Sequence, residues 1–201
     1  MIKSSIPTGK STEILRELSE NVGGEVRFDS YSRQMYSTDG SIYKIDPLGV
    51  VIPRNSDDVI SVHEISSKIK TIITPRGGGT SLSGQTVNSG IVVDFSKYMN
   101  KIIEVCPEEK WVRTQPGITI DNLNRHLSNY GLFFTPDPST SSRANVGGAI
   151  GNNSCGAHSI LYGKTVDQVL EMEIILSNGN KILCKENSLN ELETKLSRQS
   201  L

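Results

Sequence analysis

Residues 75–85 read PRGGGTSLSGQ, with three consecutive glycines directly behind an arginine. Glycine loses the most backbone freedom on ordering and offers no side chain to pack, so this stretch has to be a loop. It lies between two short apolar β-branched runs, Thr71-Ile-Ile-Thr74 and Ile91-Val-Val-Asp-Phe95. A glycine loop entered from a buried strand can turn successive N–H groups to one side as a nest for an anion. Thr80, Ser81 and Ser83 add hydroxyl donors, and Arg76 either supplies charge or braces the loop.

Two familiar phosphate loops fail on spacing. The triphosphatase loop G-x-x-x-x-G-K-[ST] needs a lysine for the β- and γ-phosphates, and residues 75–85 contain none. Tyr162-Gly163-Lys164-Thr165 has the right ending, but its first glycine would fall on His158, with Gly156 out of register. The Rossmann fingerprint needs a glycine three residues after its second. Counted from Gly77 and Gly79 that place is Leu82, and counted from Gly147 the second glycine would be Ala149.

Around the loop the pattern predicts alternating elements. Ser11 to Val22 carries Ile14, Leu15, Leu18 and Val22 on one helical face, stopped by Gly23-Gly24. Residues 29–47 have no period and read as an irregular crossing. Residues 48–53 read as a buried strand. Ser56-Asp57-Asp58 then supplies an N-cap and two first-turn acids to a helix reaching Ile69. With the strand at 71–74 this forms a βαβ unit, which favours a parallel pair.

Beyond residue 100, Lys101–Val105 and Trp111–Gln115 read as antiparallel strands. A helix on Ile120, Leu123 and Leu127 ends at Gly131, and Leu132–Thr135 reads as a further strand. Val169–Leu176 and Lys181–Cys184 form a hairpin about Asn178-Gly179. Ahead of this hairpin, residues 135–156 make a second loop cluster rich in small and amide residues, suited to the edge of a ring with carbonyl and nitrogen acceptors. The fold expected is α+β: a lead-in over 1–44, a lobe over 45–100 with a small parallel sheet, a mostly antiparallel lobe over 101–185, and a polar tail over 186–201. Two glycine-rich loops in two lobes would clamp a long ligand, phosphate at one end and ring at the other.

Composition removes other classes. A net charge of −1 lacks the basic excess of a nucleic-acid surface. No apolar run approaches the length of a membrane span, and the opening MIKSSIPTGK lacks the apolar core of a signal peptide. Cys106, Cys155 and Cys184 have neither disulfide-framework nor metal-site spacing. A reduced, cytoplasmic protein is the expectation.

Taken together and in order, PRGGGTSLSGQ, IVVDF, WVRTQPG, PDPST and VGGAIGNNSCGAHSILYGKT resemble the FAD-linked oxidases of the vanillyl-alcohol oxidase type, which have the PCMH-type FAD-binding fold. The resemblance is strongest to the D-2-hydroxy-acid branch: D-lactate dehydrogenases, glycolate oxidase flavin subunits and D-2-hydroxyglutarate dehydrogenases. SLSGQ and GNNSCGAHS are most similar to large members that fuse the flavin unit to an iron–sulfur part. The resemblance implies FAD between two subdomains. Arg76, Gly77, Gly78, Gly79, Thr80 and Ser81 would line its diphosphate. Asp137, Pro138, Ser139, Gly147, Gly148, Gly151, Asn152 and Gly156 would line the flavin and ribityl chain. Some relatives attach FAD through a histidine in the first loop; Thr80 stands there, so non-covalent FAD is expected.

The resemblance also implies hydride transfer from the α-carbon of a small D-2-hydroxy acid to the flavin, with electrons passed to an acceptor other than nicotinamide. The G-x-L-G-I-I-T type segment, the cap domain, the histidine-rich metal motif and the iron–sulfur cysteines of the large members are not in these 201 residues. The chain is therefore expected to be the FAD-binding part of a longer enzyme, inactive alone, with any iron–sulfur cluster elsewhere and membrane attachment of the whole protein left open. Two alternatives stand beside it: a flavin-binding module without catalysis, and an alditol or sugar-lactone oxidase of the same superfamily. His63, His126 and Arg143 read as structural or surface residues, His158 as a loop hydrogen-bonding residue, and Cys155 as a small filler.

Overall fold

A computed structural model describes residues 8–188. Helix α1 (Thr8–Asn21) leads through a glycine turn to the short strand β1 (Glu25–Arg27) and then helix α2 (Ser30–Met35). Strand β2 (Gly49–Ile52), helix α3 (Ser56–Ile69), strand β3 (Ile73–Arg76) and strand β4 (Ile91–Asp94) follow. These strands form one sheet in the order β1-β2-β4-β3, with β4 parallel to both neighbours and β1 antiparallel at the edge.

The β-branched runs explain why the centre of this sheet is stable. Every residue of β2 and of β4 is buried, and side chains alternate between the two faces. Val51, Ile91 and Val93 join Leu18 of α1 and Val62 and Ile65 of α3 in one cluster. Val50, Ile52 and Val92 point the other way and meet Tyr36 and Tyr98. Each such side chain contributes roughly 1.5–3 kcal/mol on burial. The βαβ unit forms as the pattern predicts, with β4 placed between its two strands.

Three details differ from the sequence expectation. The α3 N-cap is Asn55 rather than Ser56; its Oδ1 accepts the Asp58 N–H at 3.0 Å. The crossing over 29–47 contains α2, capped by Asp29, whose carboxylate accepts the Ser32 N–H at 2.8 Å. Residues 132–135 form no strand. The Asn124 side chain serves the Phe134 backbone instead, accepting its N–H at 2.7 Å and donating to its carbonyl at 3.4 Å.

The rest of the described residues add two hairpins, three α-helices and two short 3-10 turns. Strands β5 (Ile102–Cys106) and β6 (Trp111–Thr114) pair antiparallel, as do β7 (Glu171–Ile175) and β8 (Lys181–Lys185). Helix α4 (Ile120–Leu127) closes on Gly131 in the left-handed region, φ 67°. Its buried face, with Ile118, Leu123 and Leu127, packs against the β5–β6 hairpin, Leu132 and Phe134. Helix α5 (Val146–Asn152) lies inside the region read as a loop cluster, and helix α6 (Ser159–Tyr162) follows just beyond it. The β7–β8 turn bends back onto α3, where a Cβ at Gly179 would lie 3.3 Å from Glu64 and 3.5 Å from Ile60. Among the described residues no helix is long and apolar enough to cross a membrane. Most of the polar tail, residues 189–201, lies outside the described residues.

The edge strand is pinned electrostatically. Glu25 of β1 accepts from Lys97, Tyr98 and Arg27. Those donors, Lys97 foremost, lower its pKa from 4.5 to about 2. Because the folded value lies below the unfolded one, the stabilisation is complete above pH 4.5 and is lost as pH falls towards about 2. Thermal melts across that window are expected to show a steeper stability loss for the native chain than for Glu25→Gln. Parallel pH profiles would contradict the assignment.

Candidate functional site

The glycine loop leaves the C-terminal end of β3 and is held from both sides. On one side, the crossing over 36–45 forms a wall. Arg76 sends its guanidinium back into that wall, donating to the carbonyls of Thr38 at 2.8 Å, Tyr36 at 3.2 Å and, on the loop's return, Thr86 at 3.4 Å. The same group stacks over the Tyr36 ring, 5.1 Å from its centroid. Arg76 is thus the brace of the loop. Its burial pulls its pKa below the ordinary arginine value. Gly40 donates its N–H to the Gly79 carbonyl at 2.9 Å, and Thr86 donates its hydroxyl to Asp39 at 2.9 Å. The Tyr36 hydroxyl donates to the buried Asp94 at 2.5 Å. Burial first, and Asp94 second, raise the Tyr36 pKa.

On its other side the loop presses against Arg143 and Asn145. A Cβ at Gly77 would lie 2.1 Å from Asn145 Oδ1, and one at Gly78 would lie 2.2 Å from the Arg143 carbonyl oxygen. Gly78 donates its N–H to Asn145 Oδ1 at 2.6 Å. The Gln85 amide reaches Asn152 Oδ1 at 3.3 Å. Gly79 itself sits in the left-handed region, φ 64°. Among the described residues, the N–H groups of Gly77, Gly79, Thr80 and Ser81 and the hydroxyls of Thr80 and Ser81 have no hydrogen-bond partner. This is a row of free donors at a seam, where the loop is held between residues 36–40 on one side and residues 143–152 on the other. A cavity of about 410 Å³ opens beside it, lined by Gly78, Ser96, Asn100, Thr119, Asn122 and Arg143 among others.

Helix α5 brings four of the eight residues of the second predicted set, Gly147, Gly148, Gly151 and Asn152, to the same seam. Gly147 is needed for packing, since a Cβ there would lie 2.7 Å from Pro116. Gly148 and Gly151 have no such reason: a Cβ at either would meet nothing within 4 Å. Asn152 ends the helix and carries the Gln85 contact.

The remaining predicted residues, Asp137, Pro138 and Ser139 before α5 and Gly156 after it, form a separate group and share no hydrogen bond with the glycine loop among the described residues. Asp137 Oδ2 lies 2.5 Å from His158 Nδ1, and Asp137 Oδ1 accepts the His158 N–H at 3.2 Å. The hydrogen bond from His158 holds the Asp137 carboxyl below its ordinary pKa. Gly156 allows this pairing, because a Cβ there would lie 2.0 Å from Asp137 Oδ1. Pro138 accepts the Ser141 N–H at 2.9 Å, making the turn that carries Ser139.

Sequence reasoning passed over Tyr36, Asp39, Gly40 and Asn145, the residues that hold the loop from outside. None left a local signal: even Asn145, which directly precedes α5, stands before a helix whose glycines hide it. The expectation that the Gly78 N–H faces the ligand also changes, because that N–H points into the protein.

A family model described as "FAD binding domain" matches residues 47–185. The chain is similar to a D-2-hydroxyglutarate dehydrogenase of Escherichia coli strain K12, 43% identical over 170 residues, covering 83% of this chain and 17% of that protein. It is also similar to the glycolate oxidase subunit GlcD of Bacillus subtilis strain 168, 36% identical over 176 residues, covering 85% of this chain and 37% of that one. The chain thus spans well under half the length of either relative. Among solved structures, p-cresol methylhydroxylase superposes with a TM-score of 0.77 at 20% identity, covering 89% of this chain and 36% of that chain. That likeness establishes the fold.

Proposed function

The chain belongs to the FAD binding domain family, and from that premise we propose that its two glycine-rich segments hold FAD non-covalently as one part of a larger oxidoreductase acting on a D-2-hydroxy acid. The observation that carries the proposal is the open face of α5. A glycine inside a helix costs roughly 0.5–1 kcal/mol relative to alanine, and at Gly148 and Gly151 the described residues gain no packing in return. A flat ligand lying against that face accounts for both. The free donors of residues 79–81 suit the other end of the same ligand, because a dinucleotide's diphosphate needs several N–H and hydroxyl donors in a row.

The chain's own residues then divide the work. Gly79, Thr80 and Ser81 donate to diphosphate oxygens, and Arg76 fixes the loop that presents them. Gly148, Gly151 and Asn152 admit the ring and ribityl chain to van der Waals distance. Asp137 and His158 hold each other and set the turn through Pro138 and Ser139. FAD, when bound, supplies the two-electron acceptor that no side chain provides. The loop over 76–85 offers threonine and serine where a covalent bond to flavin would need a stronger nucleophile such as histidine.

The hydroxy-acid part of the proposal rests on the relatives' names, with D-2-hydroxyglutarate as the first substrate to try and glycolate and D-lactate beside it. The lobes are proposed over 45–100 and 101–185, the protein in the cytoplasm, and the electron acceptor as one other than nicotinamide. Exposed Ile160, Leu161, Val166 and Leu170 suit cover by a further part of such a protein.

Titration with FAD tests the cofactor. Quenched flavin fluorescence and a yellow protein whose colour leaves on denaturation are expected. Colour retained on the denatured polypeptide would overturn non-covalent binding, and absent quenching would overturn the site. Gly148→Ala sharpens the result: the ligand-free protein should gain about 0.5–1 kcal/mol while losing at least about tenfold in FAD affinity. Unchanged affinity would remove the ring from α5. Dye reduction by a longer protein containing this segment, with the three acids compared, tests the substrate.

A further inference from the structure

We infer that Asn145 is the positioning residue of the glycine loop: a buried amide that clasps Gly78 from the second lobe and so turns the donors of residues 79–81 towards the ligand. The inference deepens the FAD proposal and rests on it for the identity of that ligand.

Asn145 is 4% exposed. Its Oδ1 accepts the Gly78 N–H at 2.6 Å, and its Nδ2 donates to the Gly117 carbonyl. Its backbone is fixed as well, bridged to Thr119 and accepting the Ala149 N–H at 2.9 Å. Asn145 occupies the N-cap place of α5, where an asparagine side chain ordinarily accepts an N–H of the first turn. Here it makes no capping bond. The side chain has left its local role for two bonds spanning 67 and 28 residues of sequence.

The clasp requires one planar group with an acceptor and a donor on opposite corners. An amide has this arrangement; an ionised carboxylate has only acceptors, and serine is too short to reach both partners. Gly77 and Gly78 are matched to it, since a Cβ at Gly77 would fall within 2.1 Å of Oδ1. With the Gly78 N–H fixed inward and Gly79 in the left-handed region, the next N–H groups are left free, which is the arrangement a nest requires. Gly117 lines the cavity beside the loop, so the same amide joins both walls of the seam.

The test uses Asn145→Asp and Asn145→Ala in the 201-residue chain, read by amide hydrogen exchange of the peptide covering residues 76–82 without FAD, and by FAD titration. In Asn145→Asp the ionised carboxylate still accepts from Gly78 but faces the Gly117 carbonyl oxygen. At about pH 8, loop protection and FAD affinity should each fall about tenfold, the scale of one lost hydrogen bond with a partner left unpaired. Burial beside a carbonyl oxygen raises the carboxyl pKa, so the neutral form returns as pH falls. Its O–H then donates to Gly117, and both readouts should recover towards native values near pH 5. Asn145→Ala should lose both at every pH, with no recovery. A merely structural asparagine would not give this reversal. Native-like loop protection in Asn145→Asp at about pH 8, or a loss that acid does not reverse, overturns the inference. Should the native chain fail to bind FAD, the cofactor proposal falls while the exchange arm still decides the role of Asn145.

Discussion

Gly78→Ala is expected to lower the stability of the chain by roughly 1–3 kcal/mol, the usual range for overpacking a filled site, and to cost FAD binding between tenfold and a hundredfold. The cause is a collision rather than a dihedral. Gly78 is absent from the positive-φ residues, so alanine could adopt its backbone conformation, but the new methyl would sit 2.2 Å from the Arg143 carbonyl oxygen and 2.9 Å from its carbon. Both are main-chain atoms in a turn tied by the Arg143 and Ala144 N–H groups to the Thr140 carbonyl, at 2.8 and 2.7 Å. The loop therefore has to lift off the second lobe, taking the 79–81 donors with it. Paired measurements of melting temperature and FAD dissociation constant check this. A variant as tight-binding as the native chain would show that the contact does not set the loop.

Arg76→Met should be nearly as damaging and for a different reason. Methionine keeps the apolar stem but removes the donors that hold the carbonyls of Tyr36, Thr38 and Thr86. Those groups are partly reached by water, so the loss is set at about 2–3 kcal/mol rather than the sum of three charged hydrogen bonds. The stacking over Tyr36 goes too. Arg76→Lys should recover little, because a single ammonium cannot reproduce the planar fork. If Arg76 instead contacted phosphate directly, Arg76→Met would weaken FAD binding while leaving the ligand-free melting temperature unchanged. The expected result is that both fall together.

The parts of this fold legible in sequence are those where one local pattern suffices. β2 and β4 announce themselves because both of their faces are buried, which demands an unbroken β-branched run. The helix over 120–127 shows its apolar stripe clearly. Helix α5 does not, because three of its seven residues are glycine; on propensity alone it reads as a loop. The strand read at 132–135 has the right composition, yet one side chain, Asn124, occupies the backbone that a neighbouring strand would have paired.

The candidate site divides along the same line. Glycine density marks the ligand-facing residues, since close approach leaves a compositional trace. The residues that hold the loop do not share that trace. Tyr36, Asp39, Gly40 and Asn145 act across 40, 47, 39 and 67 positions respectively, and no window on the sequence spans such distances. Arg76 was visible, with its alternatives of charge and brace undecided until its carbonyl partners were located.

The two contacts that close the glycine loop against the second lobe, Gly78 to Asn145 and Gln85 to Asn152, each join residues 67 positions apart. During synthesis all four strands of the sheet are available once β4 has emerged, whereas the loop acquires its final shape only after the chain has grown through residue 152. Long-range closure of this kind is slow compared with local helix and hairpin formation. Competence to load the cofactor is therefore a late event in the life of the chain, and a nascent polypeptide stopped before α5 would have its sheet but no seat for the ligand.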